Sequence, residues 1–101
     1  MAEFQSAGPA EIQDGEVDAV EVDGRRIAVA NVEGTFYAFD DTCTHQGCSL
    51  GQGELDGTAV ECPCHGSQFD VTTGSVLRGP AQDPVETFDA KVENGNLEIA
   101  L

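Results

Sequence analysis

The chain has 101 residues, enough for one domain, and its 19 acidic side chains face only Arg25, Arg26, Arg78 and Lys91, for a net charge of −15. That balance excludes nucleic acid and anionic membrane surfaces as partners, because a phosphate-bearing surface needs cations to neutralise it. No stretch approaches the roughly 18 apolar residues of a transmembrane helix, and Met1-Ala2-Glu3-Phe4-Gln5 lacks the positive charge and apolar run of a signal peptide, so a soluble cytoplasmic protein is expected.

In chain order, turn signals fall at Asp14-Gly15, Asp23-Gly24, Glu33-Gly34, Asp56-Gly57, Thr73-Gly74 and Asn94-Gly95. Pro9 to Gln13 has room for one helical turn, and no longer window carries a helical apolar stripe. Val20 and Val22 alternate with Glu21 and Asp23, and Ile27 and Val29 alternate with Arg26 and Ala28. Each pattern predicts a strand with one buried face. Phe36-Tyr37-Ala38-Phe39 reads as a further strand, followed by a hairpin around Asp56-Gly57 and a strand through Gln68-Phe69-Asp70-Val71. Phe88, Ala90 and Val92, then Leu97, Ile99 and Leu101, alternate with polar or small residues near the end of the chain. Short strands with turn signals about ten residues apart predict an all-β antiparallel sandwich or barrel.

Two short loops interrupt this pattern with metal-ligand side chains: Cys43-Thr44-His45 and Cys62-Pro63-Cys64-His65. Read as Cys-x-His, sixteen residues, then Cys-x-x-His, they offer two thiolates and two imidazoles. Structural zinc accepts the same ligand types, but zinc fingers space their first pair by two to four residues and follow it with a helix. Here one residue separates Cys43 from His45, and Gly47, Gly51 and Gly53 follow. Two disulfides among the four cysteines would leave both histidines unexplained. The mixed set matches a Rieske [2Fe–2S] centre, in which two histidines replace two cysteines on one iron. Two ferric ions, two sulfides and two thiolates sum to zero charge, two fewer negative charges than an all-cysteine cluster carries. Such centres lie at roughly −150 to +300 mV, against about −400 mV for plant-type ferredoxins.

The segments Cys43-Thr44-His45-Gln46-Gly47-Cys48 and Cys62-Pro63-Cys64-His65-Gly66-Ser67 resemble the two boxes of the Rieske family, with a looser likeness from Phe36 to Pro84. The resemblance implies that Cys43 and Cys62 bind the inner iron, and His45 and His65 the outer one. It also implies a disulfide between Cys48 and Cys64, as in respiratory-type members; most ferredoxins of ring-hydroxylating oxygenases lack that pair. The implied layout is a cluster-binding subdomain at about residues 42–80, inserted into a basal β domain of residues 1–41 and 81–101. Gly79-Pro80-Ala81 would cover the third side of the cluster, the plain alternative being an ordinary turn. In similar proteins a serine placed as Ser67 donates to a bridging sulfide. High-potential relatives place a tyrosine donor where Phe69 stands, so Phe69 is expected in the core and the potential at an intermediate value. Gly47, Gly66 and Gly51 are expected to let backbone N–H groups approach the sulfurs.

The acidity is compatible with steering toward a basic patch on a redox partner and equally with a solvated surface that confers solubility. Near the ligands Gln46, Gly47, Ser49, Leu50, Gly66 and Pro80 carry no charge. Leu50 is expected to be a docking residue, with a plug in the subdomain core as the alternative. An uncharged tip spares a docking partner the several kcal/mol, to order of magnitude, of burying an ion. The expected function is that of a monomeric one-electron carrier without turnover of its own. By the resemblance, its donor is a flavin-dependent NAD(P)H reductase and its acceptor a terminal oxygenase, one that hydroxylates an aromatic ring. The alternatives are a subunit or fragment of a respiratory or oxidase complex, and a nitrite-reductase-like small subunit.

Overall fold

The computed structural model describes residues 3–44, 47–64 and 66–100. The strands run β1 (Phe4–Pro9), β2 (Val17–Val22), β3 (Arg25–Val32), β4 (Thr35–Asp40), β5 (Glu54–Asp56), β6 (Ala59–Glu61), β7 (Gln68–Asp70), β8 (Val76–Arg78), β9 (Thr87–Phe88), β10 (Ala90–Glu93) and β11 (Asn96–Ala100). A 3₁₀ turn, Leu50–Gln52, is the one helical segment among the described residues; the segment after Pro9 forms no helical turn.

All strand pairs are antiparallel, in three sheets ordered β1-β11-β10, β2-β3-β4-β9 and β5-β6-β7-β8. The sheets stay open and do not close into a barrel. Three hairpins turn on the expected pairs: Asp23-Gly24, Glu33-Gly34 and Asn94-Gly95 each have positive φ at both residues. That is the type I′ geometry, whose twist matches the flanking strands.

The β2-β3-β4-β9 sheet is the middle layer, and β3 shows it. Ile27 and Val29 pack with Val22, Ala38, Leu97 and Ile99 against the β1-β11-β10 sheet. Ala28 and Ala30 point the other way, into a second core with Phe39, Leu50, Val60, Phe69 and Val71. The strand predicted to bury one face therefore buries both, from Ile27 through Asn31. Its small alanines sit on the side where the cysteine loops pack. Asn31 is the polar residue in this run, and its amide is used fully: Nδ2 donates to the Ile12 carbonyl at 2.8 Å and Oδ1 accepts from the Gly34 N–H at 2.8 Å. Val92, expected to face inward, is 46% exposed because β10 is the outer sheet's edge.

Candidate metal centre

β4 delivers the chain to the first cysteine loop. The Leu50 N–H donates to the Asp41 carbonyl at 2.7 Å, and Thr42 bridges to Ser49, so the loop is pinched at its base. Inside it, the Cys43 N–H donates to the Cys48 carbonyl at 2.9 Å and the Gly47 N–H donates back to the Cys43 carbonyl at 2.8 Å. The β5–β6 hairpin then carries the chain to the second loop, where the pattern repeats. The Cys62 N–H donates to the Ser67 carbonyl at 2.7 Å, and the Gly66 N–H to the Cys62 carbonyl at 3.1 Å. In both loops the cysteine bonds to the fifth residue on, and a glycine four residues on bonds back.

Gly47 and Gly66 have φ of +75° and +77°. A side chain in that left-handed region costs about 1–2 kcal/mol, which explains glycine at both places. Their own N–H groups donate to the Cys43 and Cys62 carbonyls. The Gly51 N–H likewise donates to Asp41 Oδ1, at 2.7 Å. The matching register of the two loops turns the backbone in the same way at both cysteines.

Cys43 and Cys62 are each 2% exposed and belong to the same core cluster. Cys48 and Cys64 form a disulfide across the loops with Cα atoms 6.5 Å apart. Cys64 lies at the surface and Cys48 is half-buried. The sulfurs of Cys48, Cys62 and Cys64 lie within 4.8 Å of one another, so the bridge stands beside Cys62. Two of those three are consumed by the bridge and cannot ligate. The sulfurs outside it are those of Cys43 and Cys62, one per loop. Two buried sulfurs in one apolar cluster suit a soft site such as an iron–sulfur cluster, so the donors fit the group. His45, His65 and Gln46 lie outside the described residues.

The segment after β8 is fastened to both loops. Thr44 Oγ1 donates to the Asp83 carbonyl at 2.7 Å, and the Ala81 N–H donates to Ser67 Oγ at 3.0 Å. Ser67 is fully buried. Its hydroxyl accepts from Ala81 and keeps its own proton to donate. Pro80 is exposed while Ala81 is buried. Phe69 is fully buried, as a core residue should be; Leu50 is too, which overturns its reading as a docking residue. Leu50 sits on the 3₁₀ turn beneath the first loop and packs toward Ala28 and Ala30.

Asp41 went unnoticed in the sequence. It is 3% exposed, accepts from Ser49 Oγ at 2.9 Å and pairs with Arg26 Nε at 3.3 Å. Nothing in the doublet Asp40-Asp41 says which carboxylate turns inward. The register of β4 decides it: Asp40 stays half-buried and accepts from the Thr42 N–H at 3.0 Å.

Among the described residues no helix is long and apolar enough to cross a membrane. Residues 3–89 match the model of the Rieske [2Fe-2S] domain. The chain is 39% identical over 98 residues to the ferredoxin component of the naphthalene 1,2-dioxygenase system of Pseudomonas putida, covering 97% of this chain and 94% of that protein. It superposes on the Sphingomonas yanoikuyae B1 ferredoxin with a TM-score of 0.87 at 37% identity, each chain 96% covered. A chain from the complex of reduced oxygenase and oxidized ferredoxin in carbazole 1,9a-dioxygenase matches with a TM-score of 0.86 at 36% identity, covering 96% of this chain and 92% of that one. The chain belongs to the Rieske [2Fe–2S] family, and with one such iron–sulfur cluster it is an electron carrier.

Proposed function

We propose that this protein is the ferredoxin component of a ring-hydroxylating oxygenase system, receiving electrons from a flavin-dependent NAD(P)H reductase and passing them to a terminal oxygenase. The observation that carries the reading is the pair of equivalent loops, each presenting one buried cysteine sulfur. The relatives named as dioxygenase ferredoxin components support the partner assignment.

In this reading Cys43 and Cys62 hold the inner iron, and His45 and His65 the outer one. When bound, the [2Fe–2S] cluster accepts and returns one electron. The chain's own contribution is positional and electrostatic. Ser67 keeps a hydroxyl proton that it would donate to a cluster sulfide, which would stabilise the reduced state. Residues 79–81, held by Ser67 and followed by the Asp83 carbonyl under Thr44, cover the third side, with Pro80 outermost. Residues 42–80 form the cluster-binding subdomain, on a basal domain of residues 1–41 and 81–101. The protein works as a cytoplasmic monomer, and partners dock at the loop tip.

The test is composition and spectroscopy. Protein isolated with its native metal should contain iron and acid-labile sulfide in equal amounts and give a rhombic Rieske EPR signal after reduction. Cys43→Ser, His45→Ala, Cys62→Ser and His65→Ala should each abolish that signal, while Cys48→Ser/Cys64→Ser should keep it. Stoichiometric zinc without sulfide refutes the reading. The Cys48–Cys64 bridge favours a second one, a subunit of a respiratory or oxidase complex. A midpoint potential at the top of the Rieske range would select it.

A further inference from the structure

Asp41 is the one buried charged side chain among the described residues of a protein with 19 acids. Burying a carboxylate is costly unless it is paired and fully hydrogen-bonded. Here the donors come from the residues that follow the first cysteine loop and from β3: Ser49 Oγ and the Gly51 N–H on Oδ1, and Arg26 Nε on Oδ2. Arg26 also reaches Ser49 Oγ through Nη2, at 3.4 Å. Asp41 itself stands two residues before Cys43. A charge so placed has two consequences, one geometric and one electrostatic.

We propose that the Asp41–Arg26 pair is a positioning element that clamps the Cys43 loop and sets the reduction potential of the site. The proposal rests on the assignment of Cys43 as an iron ligand. Geometrically, the carboxylate ties the residues after the loop to the residue before it. Electrostatically, its negative charge opposes the arrival of an electron, and the guanidinium of Arg26 offsets it. The two charges act with opposite signs and differ in exposure. The Arg26 side chain is 57% exposed, so salt screens its contribution, whereas that of Asp41, 4% exposed, persists.

The test is a set of midpoint titrations on the intact, cluster-loaded protein, followed optically at low and high salt, with EPR verifying the cluster in each variant. Arg26→Gln should lower the potential and Asp41→Asn should raise it, with the double variant between them. The Arg26→Gln shift should shrink in high salt and the Asp41→Asn shift should not. Asp41→Ala should lose amide protection at Gly51 in hydrogen exchange, and Asp41→Asn, which keeps an acceptor oxygen, should restore it. A merely structural residue would not produce shifts of opposite sign. Unchanged potentials, or shifts in the same direction, overturn the proposal, as does undiminished protection in Asp41→Ala. If Asp41→Asn fails to load a cluster, the exposed Arg26→Gln variant decides alone: a fall supports the proposal and no change or a rise overturns it. A wild-type protein without the EPR signal is a different failure, that of the ligand assignment.

Discussion

Replacing both Cys48 and Cys64 with serine removes the covalent tie between the two loops, and the cost follows from their separation. The cysteines are 16 positions apart. Closing a loop of that length removes unfolded-state entropy equivalent to about 3 kcal/mol at 25 °C. The native side of the balance changes little, because Cys64 is at the surface and Cys48 is half-buried, so two serines leave no large cavity. For a domain of this size about 1 kcal/mol shifts Tm by roughly 4–8 °C, so the double variant should melt roughly 12–24 °C lower. The assay is a thermal scan by far-UV circular dichroism at one fixed scan rate, without added thiol. Each single variant should lose as much as the double, since the bridge either exists or does not. Wild-type protein pretreated with a strong dithiol should fall to the same value, because Cys64 is accessible. A drop below about 4 °C, the equivalent of roughly 1 kcal/mol or less, would refute the reasoning. It would mean that the β5–β6 hairpin and its neighbours restrain the loops in the unfolded ensemble as well.

Leu50→Ala should cost about 2–5 kcal/mol, because the side chain is fully buried beneath the first loop; a denaturant midpoint unchanged from wild type would return Leu50 to the surface. Gly47→Ala and Gly66→Ala should cost about 1–2 kcal/mol each and by similar amounts, since both sites have positive φ and no close atom to clash with a Cβ. Equilibrium unfolding that separates them widely would break the equivalence of the loops. Ser67→Ala should cost about 1–3 kcal/mol by leaving the Ala81 N–H without its acceptor. The same variant should lower the midpoint potential, and a potential that stays level would remove Ser67 from the sulfide's surroundings.

Much of the fold is legible in the chain because its signals are local. A pair such as Asp23-Gly24 or Asn94-Gly95 tolerates two successive positive φ values, and that requirement can be met or failed within two residues. The same holds for the cysteine loops, where ligand types and spacing are chemical facts of the sequence. What misled was neighbourhood. Alternation in β3 identified Ile27 and Val29 as buried but could not reveal a second layer over Ala28 and Ala30. Leu50 looked like a docking residue because its neighbours are uncharged, yet a 3₁₀ turn rotates it inward.

The sequence by itself determined the all-β class, the hairpin positions, and the four candidate ligands in their two boxes, because each depends on residues close together in the chain. Only the tertiary structure decided that the Cys48–Cys64 bridge stands beside Cys62, that the Gly47 and Gly66 N–H groups turn to carbonyls, and that the middle sheet is covered on both faces. Above all it chose Asp41 over Asp40 for burial. Burial is a property of what packs on top, and the groups that make a buried charge tolerable here come from Arg26 on β3 and from Ser49 and Gly51 beyond the first cysteine loop, two separate places in the chain.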